Sequence, residues 1–294
     1  MESIHDINER DILNIMEIAK KYKKNNEKNN ICDNKIFGLL FFESSTRTCL
    51  SFETAILRMG GKVIKIQTEY SSMNKGETIE DTIRTIEYYV DYFIIRHPEK
   101  GIISRLKKIV KKPIINAGDG SKEHPTQALL DLFTIYEYYP SLPERIFYTG
   151  DIKYSRTIHS LVYLIEKMNK NVKHYFFNCE KNVNNYDFLE KTNNLTYYIK
   201  DIETLDENIN KADVLYVTRI QEERRDKKNI PSYCINSELI EKSKENLIIM
   251  HPLPRKIELS TDLDNNKKSK YFEQIENGIY VRMSIIYNML MSEY

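Results

Sequence analysis

Apolar positions along this chain follow two alternating rhythms. Across residues 7–21, Ile7, Ile12, Ile15 and Ile18 or Ala19 fall at helical spacing, and a Lys/Asn-rich loop is expected over 23–30. Residues 35–42, without a polar side chain from Ile36 to Phe42, predict a strand buried on both faces. Helical spacing returns over 46–59 and stops at Gly60-Gly61. The pattern continues with a strand at 63–66, a helix at 77–90, a strand at 92–96, a short helix at 102–109, a strand at 113–117 and a helix at 124–138.

Pro140 and Pro143 then interrupt the chain, because two prolines so close together cannot continue a helix. Beyond them the alternation repeats. Strands are expected at 145–149, 172–177, 214–218 and 247–250, with helices at 156–167, 237–243 and 278–290. The Asn-rich stretches at 181–194 and 264–270 read as solvated loops. Alternating apolar strands and helices imply an α/β fold of two domains, each a parallel sheet flanked by helices. The expected division is 1–135, completed by a C-terminal helix at 278–294 that packs back on the first domain, and 140–277. The length of 294 residues suits two domains with sizeable cores.

Charge narrows the class. Lys and Arg number 44 against 43 Asp and Glu, a net charge of +1, which argues against a nucleic-acid partner. High charge that balances is not the signature of disorder. Four cysteines without a C-x-x-C pair suggest neither a disulfide framework nor a structural zinc site. No apolar run reaches membrane-spanning length, and residues 1–14 lack a signal-peptide pattern. The expectation is a soluble, cytoplasmic protein with no membrane partner.

Ligands of parallel α/β sheets bind at the carboxyl ends of strands, where loops meet helix N-termini. Four such ends stand out. Ser45, Thr46, Arg47 and Thr48 follow the first strand, where free N–H groups and the helix dipole favour an anion. An ordinary helix cap would use one of these hydroxyls, and the run exceeds that need. Arg96 ends a buried strand before His97-Pro98, either as a ligand-binding cation or as a surface ion pair. His124 and Gln127, three apart at a helix start, can face one ligand, or His124-Pro125 can simply be a helix entry. The rigid run His251-Pro-Leu-Pro-Arg255 can aim backbone carbonyls, or only stiffen a loop. In the second half, Arg156 opens a helix, while Arg219 and Gln221 follow a strand. These either bind carboxylates or lie in solvated charge clusters.

Taken together, these segments resemble the aspartate/ornithine carbamoyltransferase family, on its aspartate-using side. The resemblance runs through Phe41-Phe-Glu-Ser-Ser-Thr-Arg-Thr48, Leu50-Ser-Phe-Glu-Thr54, Lys75-Gly-Glu77, Arg96-His-Pro98 and Asn116-Ala-Gly-Asp-Gly120. It continues through His124-Pro-Thr-Gln127-Ala-Leu-Leu-Asp-Leu132, the segment from Gly150-Asp to Arg156-Thr, Thr218-Arg219-Ile-Gln221, His251-Pro-Leu-Pro-Arg255 and Asn277-Gly278. Motifs in family order across nearly the whole chain make coincidence a poor explanation.

The resemblance implies transfer of a carbamoyl group from carbamoyl phosphate to L-aspartate, giving N-carbamoyl-L-aspartate and phosphate, a step of pyrimidine synthesis. It implies no metal and no organic cofactor. Ser45, Thr46, Arg47 and Thr48 would hold the phosphate. Thr48, Arg96 and His124 would polarise the carbonyl oxygen. Gln127 and the carbonyls of Leu253 and Pro254 would fix the carbamoyl NH2. Arg156, Arg219 and Gln221 would bind the aspartate carboxylates. Lys75, with Ser71 upstream, would enter the site of a neighbouring subunit, so the resemblance implies a homotrimer with shared sites. It also admits separate regulatory chains as further partners.

Two departures from the family pattern stand out. Cys49 replaces an arginine that often follows Ser-Thr-Arg-Thr, and Lys256-Ile257-Glu258 keeps one of two commonly adjacent acids. Against an ornithine-using enzyme stand Pro252 and Thr126, where that branch typically carries cysteine. Against a catalytically silent relative stands the retention of every phosphate-loop and oxyanion residue. A generic nucleotide binder lacks support, since neither G-x-G-x-x-G nor a P-loop occurs.

Overall fold

The structure is a computed structural model that describes residues 1, 3–25, 29–66, 75–169, 171–180, 183, 185–192, 195–221 and 233–292. Ser71, part of the Asn-rich stretch at 181–194 and the charged run at 222–225 lie outside the described residues. The chain divides into two compact units, Met1–Leu129 with Glu276–Tyr294, and Leu130–Ile275. The divisions fall inside two helices, at 129/130 and 275/276. Pro140 and Pro143 occupy a short loop between a helix and a strand.

The first unit begins with α1 (Glu9–Asn25), β1 (Ile36–Phe41), α2 (Thr46–Arg58) and β2 (Lys62–Ile66). Next come α3 (Ile79–Glu87), β3 (Tyr92–His97), α4 (Ile102–Leu106), β4 (Ile114–Asp119) and α5 (Pro125–Tyr138). The sheet order is β2-β1-β3-β4 and every pairing is parallel. Its central strands are apolar on both faces because helices cover both sides. One side buries Leu40, Phe93 and Ile95 against Ile83 and Ile86 of α3 and Ile102 and Leu106 of α4. The first residues attach beside β4. The Met1 amine donates to Ile114 O at 3.1 Å, and buried Glu123 accepts Ser3 Oγ at 2.9 Å and the Ile4 N–H at 2.8 Å.

The second unit contains β5 (Arg145–Gly150), α6 (Arg156–Met168), β6 (Lys173–Asn178) and β7 (Thr196–Asp201). It continues with α7 (Leu205–Asn208), β8 (Val214–Val217), α8 (Ser237–Glu241) and β9 (Ile248–Met250). The order β7-β6-β5-β8-β9 is again wholly parallel. Two aromatic rows run across it. Tyr148 stacks on Phe176 at 5.0 Å, and Phe147 tilts against Phe177 at 4.9 Å.

Helix α9 (Tyr271–Met291) ends the fold and starts seven residues before the expected Gly278. Asn277 is fully buried, so packing holds the helix through a glycine that would otherwise weaken it. Its C-terminal part packs on the first unit. Ser284 Oγ donates to Ile15 O at 2.8 Å, and the Arg282 guanidinium lies 4.9 Å from the Phe52 ring centre. Four other segments differ from expectation. Helix α1 extends through Asn25 into the predicted loop. Strand β7 and helix α7 are additional. The stretch 264–270 is not a plain solvated loop, because Asp264 pairs with Arg255 and Lys270 donates its N–H to Ile249 O. No helix among the described residues is long and apolar enough to cross a membrane.

Candidate active site

In the first unit the selected residues lie at the carboxyl ends of three adjacent strands, β1, β3 and β4. After β1, Ser45 occupies the N-cap of α2 with no side-chain cap hydrogen bond, and the first turn carries no acid. Its hydroxyl is thus not consumed as an ordinary cap, and the positive helix end keeps its field. Thr46 and Arg47 are exposed and Thr48 is buried. Cys49 stands half-buried in the same turn, and burial pushes its thiol pKa up, so it adds no thiolate charge beside the site.

Arg96, paired with Phe41 in the sheet register, reaches across all three strand ends. Its Nη2 lies 2.9 Å from Glu43 Oε2. Its Nη1 lies 3.5 Å from both Ala117 O and His124 Nε2. The surface-pair alternative therefore describes only half of its environment, since the side chain is 11% exposed and the second contact is an imidazole. Glu43 was not selected from the sequence, although an acid directly before Ser-Ser-Thr-Arg was the signal for it.

His124 is buried after β4, and Gln127 is half-buried one turn along α5. The connecting turn depends on Gly120, whose φ is +52°. A Cβ there would stand 2.7 Å from Pro98 O and Lys100 N, so the β3 and β4 loops touch through backbone. Asp119 tightens the same junction by accepting the N–H groups of Gly101 at 2.8 Å and Ile102 at 3.2 Å. Burial raises its pKa, and those two donors offset part of the rise. Lys75 is exposed in the segment between β2 and α3.

In the second unit the residues again collect at adjacent strand ends, β5, β8 and β9. Gly150 closes β5 at φ +97°, and Asp151 follows, fully buried. Asp151 accepts the Gln221 N–H at 2.8 Å and the Tyr154 N–H at 3.1 Å, and donates its own N–H to Thr218 Oγ1 at 3.0 Å. Gln221 Nε2 also donates to Tyr154 O at 3.1 Å. The β5 loop, which leads into buried Arg156, is thus laced to the β8 loop that carries Arg219 and Gln221. Arg156 and Gln221 do not lie in a solvated charge cluster. Arg219 is half-buried and donates from Nη1 to Ile220 O at 3.3 Å.

After β9, buried His251 organises the loop. Its Nδ1 accepts the Leu253 N–H at 2.8 Å, so the ring proton sits on Nε2 and is donated to Glu258 Oε1 at 2.8 Å. Burial works to raise the Glu258 pKa, but the His251 bond and the Lys256 N–H outweigh it and leave it lowered. The retained acid of Lys256-Ile257-Glu258 is therefore an internal brace of the loop. Ile257, at the departing position, is 69% exposed. Leu253 has φ +50° in the left-handed region, strain that its N–H bond to His251 helps to hold. The Leu253-Pro254 peptide is cis. The three loops thus offer arginines and backbone carbonyls, groups suited to carboxylates and to an NH2 donor.

This arrangement has close counterparts. Residues 1–137 match the aspartate/ornithine carbamoyltransferase carbamoyl-P binding domain, and residues 144–289 match the Asp/Orn binding domain of the same family. The aspartate carbamoyltransferase catalytic subunit of Thermoplasma volcanium is 43% identical, with 98% of this chain and 97% of that protein covered. That of Methanocaldococcus jannaschii is 42% identical, with 98% and 96% covered. The structure of aspartate transcarbamoylase from Trypanosoma cruzi in complex with N-(phosphonacetyl)-L-aspartic acid superposes with a TM-score of 0.89 at 36% identity, covering 97% of this chain and 93% of that one. With both domains matched and relatives this similar along nearly their whole length, the chain belongs to the aspartate/ornithine carbamoyltransferase family.

Proposed function

We propose that this chain is the catalytic chain of an aspartate carbamoyltransferase, which transfers the carbamoyl group of carbamoyl phosphate to L-aspartate. The observation that supports this most is the Arg96 guanidinium, 3.5 Å from His124 Nε2 at the junction of three strand ends beside the open α2 N-terminus. An anion seated on Ser45, Thr46, Arg47 and Thr48 brings its carbonyl within reach of such a cation and imidazole. Residues 1–137 then serve carbamoyl phosphate, and residues 144–289 serve aspartate.

In this reading the aspartate amine attacks the carbonyl carbon. The new C–N bond forms, the carbonyl π pair moves onto oxygen, and the amine proton released is taken up by the phosphate as it leaves. Collapse of the tetrahedral intermediate breaks the bond to the phosphate oxygen, which leaves with the electron pair. Thr48, Arg96 and His124 stabilise the oxyanion, where charge grows only along the reaction path. Gln127 and the Leu253 and Pro254 carbonyls hold the NH2, and Arg156, Arg219 and Gln221 hold the aspartate carboxylates. The rest of the rate comes from orienting two bound reactants. Lys75 enters the site of a neighbouring copy in a homotrimer, and regulatory chains are an optional addition to that trimer. The product, N-carbamoyl-L-aspartate, feeds pyrimidine synthesis.

The test is turnover of carbamoyl phosphate by the purified protein with L-aspartate and, separately, with L-ornithine, read as ureido product. Product with aspartate and none with ornithine is expected. Product only with ornithine, or with neither, overturns the proposal.

A further inference from the structure

A carboxyl group stands in an apolar stretch of α5, between Leu130 and Leu132, which are themselves buried. Asp131 is fully buried, and burial of such a group is costly unless its oxygens are bonded. Each oxygen has its own partner. Oδ2 accepts the Tyr216 O–H at 2.6 Å, and Oδ1 accepts Gln274 Nε2–H at 2.6 Å. Gln274, also buried, completes the series by accepting the His251 N–H on Oε1 at 3.0 Å. The direction of every bond is dictated, because the backbone N–H only donates and the Gln274 amide must give one hydrogen to Asp131.

The two ends of this relay are informative. Tyr216 lies on β8, three residues before Arg219. His251 follows β9, two residues before Leu253. Apolar residues of similar volume would often be at least as stabilising as this polar set. What the polar set adds is a fixed relation between two strand ends.

We propose that Asp131 and Gln274 are positioning residues, holding the β9 loop at His251 so that the Leu253 and Pro254 carbonyls keep one fixed placement relative to the β8 end bearing Arg219 and Gln221. The consequence for catalysis rests on the proposed function, whereas the placement of the loop does not. Both are buried and act through the loops they tie.

The experiment uses the full chain and three variants. Gln274→Met keeps length but removes both hydrogen bonds. Gln274→Glu sets a second carboxyl against Asp131, a pair that is tolerable only while the two share a proton. Adding Asp131→Asn to Gln274→Glu reverses the polarity of the link. The amide introduced at position 131 then donates to the carboxylate introduced at position 274, which still accepts the His251 N–H. The carbonyl of that same amide accepts the Tyr216 O–H. Amide hydrogen exchange over residues 251–255 reads the loop directly. Turnover with aspartate reads the consequence, and calorimetry with inorganic phosphate reads the other unit.

Gln274→Met is expected to speed loop exchange and to lower kcat with aspartate, each by about tenfold or more, with phosphate binding unchanged. Gln274→Glu should lose activity as pH rises, and the double variant should recover both the loop protection and a flat pH profile. Unchanged loop exchange in Gln274→Met, or failure of the double variant to restore it, overturns the positioning role. Wild-type protein without aspartate turnover would instead overturn the proposed function while leaving the exchange result to decide the placement.

Discussion

The buried Asp151 carboxylate accepts the backbone N–H of Gln221 at 2.8 Å, so the loop after β5 directly sets the loop after β8. Its other oxygen caps the Tyr154 N–H ahead of Arg156. In Asp151→Ala both donors lose their acceptor, and the two loops presenting Arg156, Arg219 and Gln221 can separate. A charged hydrogen-bond acceptor of this kind is worth about 2 kcal/mol, which corresponds to roughly 30-fold in kcat/KM for aspartate. Phosphate affinity, measured by calorimetry, should stay near the wild-type value. An equal loss in both would show that the residue serves overall stability.

The same strand end allows a stability prediction. A Cβ at Gly150 would lie 1.7 Å from Thr218 O, and the backbone already has a φ of +97°. Neither the neighbour nor the dihedral can yield cheaply, because Thr218 is itself hydrogen-bonded to Thr149 O. Gly150→Ala should therefore cost about 4 kcal/mol or more, read as a large fall in melting temperature or as insoluble protein. Gly101→Ala is the control. It also has positive φ, but no atom lies within 4 Å of its Cβ, so it should cost only about 1 kcal/mol.

Arg96 supplies the electrostatic prediction. Its guanidinium is shared between Glu43 and His124 in this structure. If Arg96 is an oxyanion donor, as the proposed function has it, Arg96→Ala should raise the barrier by about 3 kcal/mol, roughly a hundredfold in kcat. KM for aspartate should move much less. A change confined to KM would place Arg96 outside the reacting atoms.

The strand ends were legible in the sequence because buried parallel strands are continuous apolar runs, and the polar residues that follow them are conspicuous. The links between those ends were not. Asp131 and Gln274 act on segments far away in sequence, and no local spacing announces such partners. An isolated acid inside Ala128-Leu-Leu-Asp131-Leu was the only trace. Strand β7 was missed for the opposite reason. As a sheet edge its Thr196-Tyr-Tyr segment is exposed, so neither a buried run nor a clean alternation marks it.

Two histidines in the second unit predict acid sensitivity. His174 is fully buried, its Nδ1 lies 2.9 Å from the Tyr148 hydroxyl, and burial pushes its pKa from 6.5 down to about 3. Burial likewise pushes His159 down to about 4, against the Phe188 ring at 3.9 Å. Unfolded chains protonate these rings near pH 6.5, so between that value and about 3 the unfolded state binds more protons. Stability is therefore whole above about pH 6.5 and declines as pH falls through that window. His174 alone should cost about 2 kcal/mol by about pH 5. In His174→Phe the melting temperature should fall less steeply with acid, at a cost of about 1 kcal/mol near neutrality for the stranded Tyr148 hydroxyl. An unchanged slope would assign the acid response to other groups.

The shared-site reading of Lys75 predicts complementation between two inactive proteins. Lys75 is exposed, and among the described residues no bond within its own chain explains a need for a lysine there. Lys75→Ala and Arg47→Ala trimers should each be nearly inactive. If a site combines Arg47 of one copy with Lys75 of its neighbour, a mixed trimer contains sites damaged twice and sites not damaged at all. A random equimolar mixture should then recover about a quarter of wild-type activity, because each site draws its two groups independently from two chains. If both groups come from one copy, every site in the mixture carries one lesion and no activity returns. Reassembly after mild denaturation, with mixed trimers verified by mass, separates the two outcomes. Dilution sharpens the result, since activity that depends on a neighbouring copy falls as trimers dissociate while each chain remains folded.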